Sequence, residues 1–267
     1  MSGSFELPAI VLSGDIRDVS DWLQSASDWY AEISRGQCRL SWQLMGPLTL
    51  PKPTAWYAAG GGMGPLPRNS QALVADAIEA LGPSFRASRL LVVGEKIWLP
   101  HAWHLPGTHP CRYAVLSGHA NLGTVVHELG HLLFEWPDFQ WPWRWGRECL
   151  MALGATGELG ADPSPPSAPL LLRQGWRETA PMTRALKVQD LAGGDIATMD
   201  WDHWQVLAEW RRDRGASRLM MYARPADSPH STPHHPKARV LLSEDEAQHS
   251  VLGLLAPHLR RLGGGGD

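Results

Sequence analysis

One stretch constrains this chain more than any other: Val125-Val126-His127-Glu128-Leu129-Gly130-His131-Leu132-Leu133-Phe134. Its apolar residues flank two histidines at helical spacing, which predicts a helix that will be buried. Residues four apart on a helix stand one above the other on the same face. His127 and His131 can therefore present two imidazoles to one metal ion, the arrangement that holds zinc in His-Glu-x-x-His helices. Glu128 is turned about 100° from His127 around the helix axis. It borders the ion's open side without having to ligate it, where a carboxylate can take a proton from an activated water.

The bulk of the chain supports such a site and excludes others. With 267 residues it can bury a substantial core, as one large domain or as two closely packed lobes. A net charge of -3 leaves no basic footprint for nucleic acid and no polybasic patch for a membrane surface. A hydrophobic content of 43% with 19% charged residues describes a soluble globular protein. No run approaches transmembrane length. The apolar run Leu7 to Leu12 contains Pro8 and is too short for the core of a secretory signal, and the first basic residue is Arg17. The sequence alone thus reads as cytoplasmic, or as a chain whose export signal is not present. Cys38, Cys111 and Cys149 are odd in number and include no Cys-x-x-Cys pair. That argues against a disulfide framework and leaves room for one bridge with a free thiol.

Before the metal helix, Trp22, Leu23, Ala26, Trp29, Tyr30 and Ile33 mark one face of a helix from Asp15 to Arg35, stopped at Gly36. Cys38, Leu40, Trp42 and Leu44 alternate with polar residues and predict a half-buried strand. Gly46-Pro47 breaks it, and Leu48-Thr49-Leu50 is expected to resume the sheet. Residues 51–69, with a Gly60-Gly61-Gly62 run, read as a loop. Ser70 is expected to cap a helix that buries Leu73, Val74, Ala77, Ile78 and Leu81 and stops at Gly82-Pro83. Leu90-Leu91-Val92-Val93 is a continuous apolar run, expected as a central strand.

Residues 95–120 read as irregular and carry His101, His104, His109 and His119, more plausible as polar loop residues than as ligands. Asn121 is placed to cap the metal helix, which should run to about Glu135 and be ended by Pro137. Trp136, Trp141, Trp143 and Trp145 come close behind it. Such a cluster either walls a pocket for a hydrophobic substrate side chain or pins a loop onto the core, and the second reading is favoured. Further on, Trp204, Val206 and Ala208 alternate as a strand, and Arg218 to Ala223 is another apolar run. His234-His235 point apart on an extended chain. Arg239 to Leu242 reads as a last strand and Glu244 to Leu255 as a helix.

Together these segments resemble the immune inhibitor A-like zinc metallopeptidases. That family commonly continues from its second histidine through Gly-x-Pro-Asp, here Phe134-Glu135-Trp136-Pro137-Asp138. A Leu-Met-Gly turn is matched by Leu150-Met151-Ala152. A Gly-Asp-x-Pro-Ser stretch leading to Leu-Gly-Trp is matched by Gly160-Ala161-Asp162-Pro163-Ser164 and Gln174-Gly175-Trp176. Phe134 replaces the family's glycine, and Asp138 lies one residue later than the family spacing. Val206 to Arg211 and Ser217 to Tyr222 resemble the family's paired C-terminal strands.

The resemblance implies an α+β, zincin-like metallopeptidase domain with a mixed sheet packed on the His-Glu-x-x-His helix. It would span residues 1–262, with lobes of about 1–135 and 136–262 and a flexible tail at 263–267. It implies zinc held by His127 and His131, Glu128 as the catalytic carboxylate, and Met151 as a Met-turn residue. Asp138 becomes the leading third ligand, with Glu158, Asp162 and Glu209 as alternatives. The family is usually secreted. The expected function is a zinc-dependent endopeptidase acting on protein or peptide substrates, with Glu128 as general base. A second oxyanion donor stays open among His119, His203 and Tyr222. The rival readings are a non-catalytic metal-binding member and a zinc hydrolase of non-peptide substrates.

Overall fold

The run Leu90-Leu91-Val92-Val93 lies at the centre of a sheet, as expected of a segment with no polar side to turn toward water. In a computed structural model of the protein the residues described are all except 1–2, 13–15, 59–66, 95–99, 108–109, 119, 140–148, 192–193, 214–215, 227–235, 243–247 and 264–267. The chain divides into two units, residues 2–137 with 155–163, and residues 138–154 with 164–267.

The first unit carries strands β1 (Gly3–Val11), β2 (Cys38–Met45), β3 (Arg89–Gly94), β4 (His101–Leu105) and β5 (Cys111–Ser117) in the order β2-β1-β3-β5-β4. The first four in that order run parallel, and β4 is an antiparallel edge. Parallel neighbours need long crossovers. Helix α1 (Ile16–Ile33) crosses from β1 to β2, and α2 (Thr54–Ala58) with α3 (Pro67–Leu81) crosses from β2 to β3. The metal helix, α4 (Leu122–Phe134), packs against β4, β5 and α1. The mixed sheet beneath this helix is as expected.

Several local expectations are corrected. The apolar run of β1 gives no strand signal, because Pro8 interrupts it. β1 pairs with β3 only from Ala9 onward, so at Pro8 one side of the strand is still an edge where a missing N–H is tolerated. Leu48 to Leu50 form no strand; the Leu48 N–H bonds the Val11 carbonyl at 3.0 Å and the chain leaves the line of β2. Part of the 51–69 loop is helical, and α3 begins at Pro67, a residue suited to a first helical turn. Ser70 is therefore no cap: it is buried, its hydroxyl 2.7 Å from that of Tyr113. The stretch read as irregular contains β4 and β5, whose pattern is masked by the histidines and by Gly107 and Pro110 between them.

The second unit holds β6 (Thr179–Pro181), β7 (Ile196–Trp201), β8 (Trp204–Asp213), β9 (Ala216–Pro225) and β10 (Pro236–Leu242) in the order β10-β9-β8-β7-β6. β7 to β10 are an antiparallel meander, and β6 adds a short parallel edge. Val206 and Ala208 face inward, as their alternation requires, and join Leu219 and Met221. Helix α5 (Ala168–Gln174) lies against β8. The final helix is α6 (Val251–Gly263); the expected start at Glu244 lies outside the described residues. Ser250 supplies its cap, accepting the Gly253 N–H at 3.4 Å, and Val251, Leu255 and Leu259 recur on its buried face.

Cys38, Cys111 and Cys149 are all buried and unbridged. No described helix is long and apolar enough to cross a membrane. Trp141, Trp143, Trp145, His109, His119, His234 and His235 lie outside the described residues.

Candidate metal centre

Helix α4 is fixed at both ends. At its start the Asn121 side chain accepts the Thr124 N–H at 2.9 Å, the expected cap. A Cβ on Gly123 would fall 1.8 Å from the Ala155 carbonyl oxygen, and one on Gly160 would fall 2.1 Å from the Asn121 amide. Two positions without side chains thus let the turn at 155–160 lie directly on the first turn of the helix. Gly160 also has φ +86°, a conformation few other residues adopt.

At its end the helix stops at Phe134, with Glu135 as its cap, two residues before the proline expected to break it. Glu135 takes a left-handed conformation, φ 56°; its N–H bonds the His131 carbonyl at 3.2 Å and the Trp136 N–H bonds the Gly130 carbonyl at 3.3 Å. Where the resembled family has glycine, Phe134 remains helical and Glu135 takes the turn instead. Arg89 donates from Nε to the Leu132 carbonyl at 3.1 Å, and Arg112 pairs with Glu135 at 3.1 Å. These two arginines face each other across β3 and β5, a cationic pair suited to the negative end of a helix.

The flank of α4 rests on α1. Trp22 donates from Nε1 to the Ala120 carbonyl at 2.7 Å, and the Tyr30 hydroxyl donates to the Val126 carbonyl at 2.5 Å. Helical spacing puts both residues on an inward face. It does not show what their polar tips bind, although a buried Tyr or Trp needs a partner.

His127 and Glu128 are buried and His131 is half-buried. The two histidine rings stand at 87° with centroids 4.8 Å apart, and their Nε2 atoms approach to 3.2 Å. Nδ1 of His131 lies 2.5 Å from the Trp136 carbonyl oxygen, which can only accept. The His131 proton is therefore placed on Nδ1, and the lone pair on Nε2 faces His127. Two such nitrogens cannot meet at this distance without a proton or a cation between them. Nitrogens each about 2.0–2.1 Å from one tetrahedral zinc lie about 3.3–3.4 Å apart. The donor pair fits that ion.

Asp138, exposed, comes next in the same continuous segment. One ligand atom from each of His127, His131 and Asp138 lies within 4.8 Å of the others. The alternatives for a third ligand fall elsewhere. Asp162 is exposed and forms no such group with the pair, and the Glu158 side chain lies outside the described residues. Glu209 is buried in the second unit, where it accepts the Ala168 N–H at 3.0 Å and the Tyr222 hydroxyl and forms an ion pair with Arg211, 2.9 Å from its Nε. Tyr222 is thereby engaged, and burial, with Glu209 beside it, pushes its hydroxyl well above the usual phenol range. His203 sits exposed between β7 and β8, 2.8 Å from Asp202. Met151 is buried, and its carbonyl accepts the Phe139 N–H at 2.6 Å. His101 packs edge-on to Tyr113, and His104 stacks on Trp103 at the exposed edge strand β4.

No family model matches the chain, and no curated protein matches it. Among solved structures, the archaemetzincin of Methanopyrus kandleri overlaps 64% of this chain and 94% of its own, with 16% identity and a TM-score of 0.37. A likeness of that size says nothing of this chain's chemistry. What the chain itself shows is a capped, buried helix that brings two imidazoles together and buries Glu128 beside them in sequence.

Proposed function

We propose that the protein is a zinc-dependent endopeptidase. The observation that carries this reading is the 3.2 Å approach of the His127 and His131 Nε2 atoms on a helix that also buries Glu128. In this reading His127, His131 and Asp138 hold the ion. When bound, zinc lowers the pKa of water to about 7 and polarises a substrate carbonyl.

The chain supplies the rest. Glu128 accepts the proton of the attacking water as the new C–O bond forms, and returns it to the amine nitrogen as the C–N bond breaks. Burial limits the hydration of the Glu128 carboxylate. His131, tied through Nδ1 to Trp136, would present its other nitrogen to a bound ion. The order of motifs from Phe134 through Trp176 is what supports placing this peptidase near the immune inhibitor A-like lineage.

The test is hydrolysis of unfolded casein by zinc-loaded wild type and Glu128→Gln. We expect the variant to retain zinc and to lose hydrolysis by at least about 100-fold, the lower range for a general base. Hydrolysis at the wild-type rate would refute the role of Glu128. Zinc uptake without hydrolysis of casein, ester or amide by the wild type would point to a binding function instead.

A further inference from the structure

The histidine pair is held by something more than its own helix. Glu135 turns the chain so that Trp136 folds back over the helix end, where its N–H reaches the Gly130 carbonyl at 3.3 Å and its carbonyl meets Nδ1 of His131 at 2.5 Å. The Trp136 ring is buried, with its centroid 4.9 Å from that of Phe134 and 6.3 Å from that of Tyr30, tilted to both. Tyr30 is itself buried, lies 5.4 Å from Phe134, and gives its hydroxyl to the Val126 carbonyl, one residue before His127. A single side chain from α1 therefore touches the support of both imidazoles.

From this geometry we infer that Tyr30 is a positioning residue for the metal pair, an inference that deepens the zinc reading and rests on it. Its hydroxyl fixes the turn of α4 that carries His127. Its ring, with Phe134, fixes Trp136, whose carbonyl commits His131 to the tautomer with Nδ1 protonated and the Nε2 lone pair facing His127. A ligand imidazole held in this way loses no rotational or tautomeric freedom when the ion arrives. Burial holds the Tyr30 hydroxyl well above the usual phenol range, which favours its protonated, donating form.

The hydrogen bonds that give this support involve no motif side chain as acceptor. The acceptors on Val126 and Trp136 are backbone carbonyls, available from any residue type. What is particular to this chain is the set of three buried rings, Tyr30, Phe134 and Trp136, with Phe5 edge-on to Phe134 at 5.9 Å. Such packing is worth more than its area alone because ring orientation is specified as well as burial.

The experiment uses nitrogen-resolved imidazole NMR of the metal-free full chain, followed by zinc titration against a chromophoric chelator. Wild type, Tyr30→Phe, Tyr30→Leu and Trp136→Phe are compared after circular dichroism establishes that each is folded. Tyr30→Phe keeps the ring, so His131 should remain in its single tautomer while zinc binding weakens up to roughly 10-fold. Tyr30→Leu should give a mixture of His131 tautomers and weaken zinc roughly 10- to 100-fold. If Tyr30→Leu does not fold, Trp136→Phe carries the same expectation in smaller degree. A folded Tyr30→Leu or Trp136→Phe with one His131 tautomer and wild-type zinc affinity overturns the inference. Wild type that takes up no zinc would instead overturn the zinc reading, and the tautomer shift would still report on Tyr30.

Discussion

Gly123 and Ala155 meet backbone to backbone: a Cβ on Gly123 would lie 1.8 Å from the Ala155 carbonyl oxygen and 2.8 Å from its carbon. No flexible side chain is available to move aside. Gly123→Ala must push the turn at 155–160 off the first turn of α4. We expect a loss of about 3 kcal/mol, the upper range for overpacking, read as a shift in the urea midpoint. A loss below about 0.5 kcal/mol, the level of an ordinary surface change, would show that the contact is not close-packed.

Glu209 and Arg211 are both buried and face one another at 2.9 Å. Arg211 also donates to the Pro165 carbonyl at 3.0 Å and to that of Pro166, so the pair ties the approach to α5 onto β8. Removing one partner leaves a buried charge without its counter-ion. Glu209→Gln should destabilise the protein by about 3–5 kcal/mol. The double change Glu209→Gln with Arg211→Met should cost less than the sum of the single changes, measured as a double-mutant cycle. Because Glu209 is committed here, any folded fraction of Glu209→Gln should bind zinc as wild type does.

Asp76 accepts from Lys52 at 2.8 Å and from the Tyr57 hydroxyl at 2.6 Å. Burial by itself would raise the Asp76 carboxyl, but the bonds from Lys52 and Tyr57 and the Lys52 charge outweigh it and hold it below its ordinary value. A carboxylate depressed in the folded state adds stability above its unfolded pKa, about 3.9, and loses it as pH falls through the folded value. Asp76→Asn should therefore be less stable than wild type at pH 7 by about 1 kcal/mol. The gap should narrow as pH falls below about 3.9, the unfolded value. A gap unchanged between pH 7 and pH 3 would contradict the assignment.

Zinc that binds only the folded chain must raise its stability. At a free concentration one hundred times the Kd, the gain is about 2.7 kcal/mol. Wild type should melt at a higher temperature with zinc than with chelator, whereas His127→Ala should melt alike in both. An equal zinc response in His127→Ala would place the ion elsewhere.

Much of the first unit is legible in the sequence because it rests on side-chain periodicity. The faces of α1 and α4, the run in β3 and the Asn121 cap all come from spacing. The parts that spacing does not reach rest on backbone geometry. Pro8 hides β1 because the pattern cannot show that one side of the strand is still an edge at that point. His101 and His104 suggest a polar loop, yet β4 is a half-exposed edge strand where such residues are at home. Glu135, not Pro137, ends α4, since a left-handed glutamate has no sequence signature. The supports of the two histidines are carbonyls, which any residue supplies, so only the structure connects Tyr30 and Trp136 to the site.

Whether His127 and His131 hold a zinc ion can be read from the metal content of the protein itself. Wild type, His131→Ala and Asp138→Ala are purified without added chelator and assayed for zinc per chain by plasma mass spectrometry. We expect about one zinc in the wild type, close to none in His131→Ala, and a reduced content in Asp138→Ala. Wild type without zinc, or His131→Ala with as much as the wild type, would show that the two histidines are not a zinc site.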